Sequence, residues 1–371
     1  MAPTSPRPGS APPPRRVVVA GWIGSTNLGD ELILAGLLDH LRELGAVATA
    51  ISRDPGATRA SHAIDAVRDR DLRAVRRAIR DADLMVFGGG GLVQDATSPF
   101  NLPYHLGRIA MARSVGTSVL PLGLEVSALR TRLGRAQARR ALRPQGAGVL
   151  AGAVRDPGSA AAMVALGAPA PTIAADLALR LPSPTTPPID RIVACLRPWT
   201  GGGLLPVSMG WRRGLEQDWF LTAAARALDA AAEATGLDVH LVAMQRGRDD
   251  VLHDLVADRM RASVTTAAPD LATVRAEIAA SRVVIGMRYH AVIAAILGTR
   301  PVVAIGYSDK VVAIAAEVGP CVAWSPAGLA ELPAHVVEVL AKPPEVAAVL
   351  ARLRDLEAHN HAVLAAALAP A

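Results

Sequence analysis

Short apolar runs alternate with longer stretches of helical period from residue 16 onward. In the first half the runs fall at residues 16–20, 47–51, 84–87, 117–120, 148–151 and 172–174, and in the second at 192–196, 239–243, 264–266, 283–285 and 302–305. The intervening stretches read as helices: over 28–44, Ile33, Leu37, Leu41 and Leu44 recur on one face, and 220–234 and 291–297 behave alike. Such alternation predicts parallel sheets built from βαβ units. The pattern breaks once, at residues 181–190, where four prolines in LPSPTTPPID continue neither a helix nor a central strand and predict a stiff linker. The expected fold is therefore α/β, with two similar domains at 16–180 and 191–343 whose sheets face each other across a cleft. The Ala- and Leu-rich tail, 344–371, is expected to form a helix that folds back across both. Residues 1–15, rich in Pro, Ser and Arg, read as a disordered lead-in without the apolar core of a signal peptide.

Composition narrows the function classes. Of 371 residues, 51% are hydrophobic and 19% charged, enough to bury sizeable cores and too apolar for a disordered protein. No apolar run reaches the roughly 20 residues a membrane helix needs. Two cysteines, Cys195 and Cys321, cannot build a disulfide framework or a four-ligand zinc site, which fits a cytoplasmic protein. The net charge of +6 comes almost wholly from arginine, since Lys310 and Lys342 are the only lysines, and with 3% aromatics there is little to stack on bases. Nucleic acid is not an expected partner. Between Glu125 and Asp156 no acid interrupts a basic segment running from Arg130 to Arg143, in which Arg132, Arg135, Arg139 and Arg143 share a helical face opposite an apolar stripe with Leu129 and Leu133. That face suits anionic headgroups or a diphosphate carrier and predicts peripheral contact with the inner face of the membrane.

Ligands of doubly wound α/β folds sit at the carboxyl ends of the strands, and four motifs fall there. After the first strand, Gly24, Asn27, Gly29, Asp30 and Glu31 open a helix whose acidic first turn disfavours a phosphate and suits a sugar hydroxyl, with Asn27 and Asp30 as partners. After the run at 84–87, four glycines, among them Gly89 and Gly90, read as a loop that lets a ligand approach the backbone, with Gln94, Asp95 and Tyr104 following. In the second half, Arg197, before Pro198 and Trp199, offers a guanidinium fork to a carboxylate or phosphate. Finally, Met287-Arg288-Tyr289-His290 places a fixed cation and a titratable imidazole at a helix start, an anion site, with Lys310 following the next strand.

In this order and spacing the motifs resemble the polysaccharide pyruvyl transferase family over residues 17–312, through those residues together with Val154-Arg155-Asp156 and Ala175-Asp176. The resemblance implies a GT-B-like pair of Rossmann-like domains, the first binding the acceptor and the second phosphoenolpyruvate. It implies an enzyme that places a pyruvate ketal on a sugar, possessing neither cofactor nor metal, with a lipid-diphosphate-linked sugar as one acceptor class. By the same resemblance His290 is the general acid, Arg288 and Arg197 clamp the anions and Lys310 assists. Tyr289, Asn27, Gly89, Gly90, Gln94, Asp95 and Tyr104 would line the substrates, with Asp30 or Asp95 as base. One departure stands out: Leu122-Gly123-Leu124-Glu125-Val126 replaces an expected Gly-Gln-Gly-type turn facing the acceptor. A GT-B glycosyltransferase using a nucleotide sugar and a non-catalytic family member are the alternatives.

Overall fold

The computed structural model describes residues 13–95, 100–127, 129–144, 148–198 and 218–369. Most of the proline-rich lead-in and Trp199 lie outside the described residues. The first sheet comprises β1 (Arg16–Ile23), β2 (Val47–Ser52), β3 (Asp65–Arg68), β4 (Leu84–Val93), β5 (Val119–Val126), β6 (Ala153–Val154) and β7 (Thr172–Ile173). The second comprises β8 (Arg191–Cys195), β9 (Asp238–Val242), β10 (Val264–Ala267), β11 (Val283–Gly286), β12 (Val302–Gly306) and β13 (Cys321–Ala323). Their orders are β3-β2-β1-β4-β5-β6-β7 and β10-β9-β8-β11-β12-β13, and the pairings are parallel. The apolar runs predicted the central strands. They missed β3 and β13, edge strands in which only Ala66 and Val322 are buried, so neither carries an apolar run. Of the run at 148–151, Val149 contributes a single bridge to Val119, and the paired strand is β6.

Two expectations about β4 and β5 are corrected. The four glycines are not a loop: β4 runs through them to Val93, with Gly88 opposite Leu122 and Gly90 opposite Leu124. A side chain at Gly88 would meet the Leu122 carbonyl oxygen at 2.1 Å, and one at Gly89 would meet Ile33 Cγ2 at 2.2 Å. These two glycines are required by the neighbouring strand and helix. Likewise Leu122 to Val126 form no turn but the buried end of β5. In the basic helix Arg132–Leu142 the buried face is Gly134, Ala138, Ala141 and Leu142, so Leu133, expected in the apolar stripe, is 68% exposed. Arg132, Arg139, Arg140 and Arg143 are exposed, whereas Arg135 is half-buried and donates to the Leu129 carbonyl.

Two helices join the halves. The helix Val346–Leu368 sends Val346, Leu350 and Leu353 into the apolar core beside the second sheet, and Leu364 and Leu368 into that beside the first. The helix Leu28–Glu43 packs Ile33, Leu34, Leu37, Leu38 and Leu41 on the first sheet while Leu32 reaches the second core. Its close approach to the short 3-10 turn Leu177–Arg180 depends on Gly36, where a Cβ would lie 1.9 Å from the Leu177 carbonyl oxygen. Gly36→Ala therefore sets propensity, which favours alanine by about 1 kcal/mol, against a backbone clash. The clash is expected to win, lowering stability by roughly 1–3 kcal/mol, as a fall in the urea midpoint; an unchanged or raised midpoint would show the contact to be soft.

Candidate active site

Strand order reverses between β1 and β4 in the first sheet and between β8 and β11 in the second. Chain segments leave such neighbours in opposite directions and open a crevice. The two crevices face one another and touch: Asn27 forms a backbone bridge with Gln245, and the Leu28 N–H donates to the Met244 carbonyl at 2.8 Å. At this junction the start of the helix Leu28–Glu43 abuts His290. A Cβ on Gly29 would lie 2.3 Å from His290 Nδ1, so only glycine admits the imidazole here.

The second domain contributes positive charge. Arg197, at the end of β8, donates to the Tyr307 hydroxyl at 2.8 Å and lies over that ring. Arg288, the N-cap of the helix Tyr289–Leu297, is buried and held through Nε and Nη2 by the Asp249 carboxylate, with Gln245 Oε1 accepting from Nη2 at 3.0 Å. Its Nη1 has no hydrogen-bond partner among the described residues. Burial raises the pKa of the Tyr307 phenol, but Arg197, Lys310 and Arg288 together outweigh it and pull the phenol below its ordinary range. Arg248, which caps the start of Asp249–Ala257, is brought down to about 10 by burial and by repulsion from Arg197 and Arg288. Four cations thus crowd one place, with Asp249 and Glu125 pairing two of them.

The first domain contributes acids. Glu125 in β5 ion-pairs with Arg155 and lies 3.3 Å from Lys310 Nζ. Arg155 also holds Asp176 at 3.0 Å, and His290 Nε2 lies 3.4 Å from the same Asp176 oxygen. That last contact is at ion-pair range but misses hydrogen-bond geometry, leaving Nε2 buried without a hydrogen-bond partner. Burial pushes the Asp176 carboxyl up, but His290 and Arg155 outweigh it and hold it well below the usual carboxylate range. Tyr289 packs under the Arg155 guanidinium at 4.1 Å, fixing it from the opposite domain.

Asp30 behaves in the opposite sense. It is half-buried, and this burial raises its pKa to about 6 against the pull of His290, Asn27 and Lys310. Asn27 Nδ2 donates to it at 2.5 Å, and Gly90 leaves open the space 3.4 Å from its Oδ1. Glu31, beside it, is committed elsewhere, accepting from the Gly24 N–H and pairing with His62.

Of the remaining sequence-derived residues, Gln94 and Asp95 come directly after β4 and Tyr104 lies in the helix Asn101–Val115. Gln94 follows β4, half-buried. The Asp95 carboxylate accepts from the Arg130 and Thr131 amides at 2.8 and 2.9 Å and from the Thr131 hydroxyl at 2.7 Å, so it clamps the approach to the basic helix. Of the two carboxylates considered as base, Asp30 alone faces the charged cluster. Tyr104 donates to Asp69 at 2.9 Å and packs edge-on to Trp22, outside the charged network. Sequence reasoning missed Arg248, Gln245 and Asp249, although Gln245-Arg246-Gly247-Arg248-Asp249-Asp250 directly after a strand was the available signal.

The architecture is that of solved two-domain GT-B proteins. AviGT4, a glycosyltransferase involved in avilamycin A biosynthesis, superposes with a TM-score of 0.50 at 16% identity over 95% of both chains. Anabaena Alr3699/HepE in complex with UDP gives 0.54 at 13% identity over 94% of this chain and 96% of that one. A UDP-GlcNAc 2-epimerase from Neisseria meningitidis bound to UDP-GlcNAc gives 0.54 at 11% identity over 95% and 99%. At these identities the likeness establishes the fold. No curated protein matches the sequence. The model of one family spans residues 27–309, from the N-cap residue Asn27 to the start of the helix that bears Lys310, and so takes in both faces of the cleft. The chain belongs to the polysaccharide pyruvyl transferase family.

Proposed function

We propose that this chain moves the pyruvyl group of phosphoenolpyruvate onto a sugar of a polysaccharide or glycan precursor as a ketal, with release of phosphate. The observation that carries this reading is the convergence of Arg197, Arg248, Arg288 and Lys310 near Tyr307, on the same side of the cleft as His290 and opposite Asp30. Phosphoenolpyruvate brings a carboxylate and a phosphate, and a site whose cations repel one another gains from such a guest. His290 protonates the methylene carbon, which leaves C2 electron-poor. A sugar hydroxyl attacks C2 as Asp30 takes its proton. A second hydroxyl then displaces phosphate and closes the ketal; of the two hydroxyl protons, one replaces that spent on the methyl group and the other leaves with phosphate.

The acceptor is proposed to be carried on a lipid diphosphate, with Arg132, Arg139 and Arg140 around exposed Leu133 meeting the membrane surface. Among the described residues no helix is long and apolar enough to cross a membrane. A nucleotide-sugar reaction is the second reading, because the same cations suit a diphosphate and two of the similar folds were solved with uridine nucleotides.

Incubation with phosphoenolpyruvate and a panel of lipid- and nucleotide-linked sugars should give acceptor-dependent phosphate release and a product heavier by one pyruvyl ketal. Release of nucleotide instead would overturn the proposal in favour of glycosyl transfer. His290→Ala is expected to remain folded, with a lowered melting temperature because Asp176 loses a facing imidazole, and to keep its phosphoenolpyruvate affinity but lose about 10²–10⁴-fold in kcat; a fast variant would remove His290 from proton donation. As a base Asp30 must be ionised, so kcat/KM should fall as pH drops through about 6. That acidic limb should vanish from the residual activity of Asp30→Asn, and its persistence there would assign it to another group.

A further inference from the structure

Away from the cleft, the helix Leu28–Glu43 crosses the helix Val346–Leu368, and three side chains meet. His40 Nδ1 and His361 Nδ1 point at each other 3.2 Å apart, and Glu43 Oε2 lies 3.5 Å from His361 Nδ1. The three ligand atoms lie within 4.8 Å of one another. His40 is fully buried, and its Nε2 is 2.6 Å from Glu357 Oε1. A carboxylate accepts but cannot donate when ionised, so the proton of a neutral His40 sits on Nε2. Its Nδ1 is then a lone pair directed at His361.

The His40–His361 and His361–Glu43 separations, 3.2 and 3.5 Å, match edges of a coordination tetrahedron. With metal–ligand distances of roughly 2.0–2.1 Å, ligand atoms stand about 3.3–3.4 Å apart. The surroundings are those of a metal-binding histidine as well. Glu357 orients His40 from behind, as outer-shell carboxylates do, and Asn360 steadies Glu357 while donating to the Ala175 carbonyl at 3.0 Å. Arg180 binds the other oxygen of Glu43, so Oε2 is the one left facing His361, and it also holds Asp39 at 2.7 Å. Glu43 and Glu357 bring two negative charges beside the imidazoles, while Asp39 is shared between Arg180 and Arg42. His361 and Glu43 remain 34% and 50% exposed at their side chains, which leaves a path for the ion and room for a water as the remaining ligand.

We propose that His40, Glu43 and His361 form a zinc site that staples the C-terminal helix to the first helix of the N-terminal domain. Nitrogen-rich donors of this kind select zinc or a neighbouring first-row dication over magnesium or calcium. Because the C-terminal helix packs on both cores, the ion would fix the helix that bridges the domains, a structural role separate from transfer chemistry.

The test uses the full chain, stripped with a chelator and titrated with zinc chloride against a chromophoric competitor. The expected result is one zinc bound per chain, a melting temperature raised by zinc but not by magnesium, and visible cobalt(II) absorption of tetrahedral intensity. His361→Ala, at a partly exposed position, should abolish all three. Glu43→Gln, which needs no repacking, should weaken zinc at least tenfold, and Glu357→Gln should weaken it by roughly 10–100-fold through His40. Failure of the wild-type chain to bind zinc stoichiometrically at micromolar concentration overturns the proposal. So does wild-type affinity in His361→Ala or Glu43→Gln, which would place any bound zinc elsewhere.

Discussion

A chain of alternating charges crosses the interdomain boundary and sets the positions of the groups around it. Lys310 of the second domain meets Glu125 of the first; Glu125 and Asp176 share the buried Arg155; Asp176 in turn faces His290 of the second domain. Desolvating any one of these groups alone would be costly, and removing one member of a buried ionic set typically costs about 3–5 kcal/mol because its partner is stranded. Each charge is tolerated because its neighbours are present. The result is a first domain that orients the second domain's Lys310 and His290, so that neither face of the cleft is complete by itself.

The cation cluster follows a different rule. Asp249 and Gln245 pin Arg288 through two of its nitrogens and so give the guanidinium one orientation. Arg197 is laid over Tyr307. Arg248 is destabilised as a cation by those same neighbours. Such an arrangement is unfavourable for the resting protein and favourable for an anionic guest, which turns like-charge repulsion into attraction. The acid side shows the same separation of environments: the Asp176 carboxyl is held below its ordinary value by the cations beside it, while that of Asp30, less well compensated, is raised.

Much of this was legible along the chain. Runs of β-branched and aliphatic residues marked the central strands, because a strand covered on both faces must be apolar throughout. Asp30, Arg197, Arg288 and His290 could be singled out because polar residues directly after such runs fall at the crevice of a parallel sheet. The glycines after Phe87 were visible but their meaning was not. Whether a missing Cβ admits a ligand or a neighbouring backbone depends on what lies opposite, and for Gly88 that is Leu122 of β5. Edge strands escaped notice because exposure removes the need for an apolar run.

Sequence alone therefore determined the class of the fold and the strand ends at which the charged residues of the cleft gather, since both follow from local periodicity and from the burial a parallel sheet demands. Tertiary structure decided which charges meet. Pairings such as Arg288 with Asp249, Glu125 with Lys310 and His40 with His361 join residues 39, 185 and 321 positions apart. A side chain's partner, and with it the direction of its pKa, is set by where the folded backbone places distant groups, and no local pattern encodes that distance.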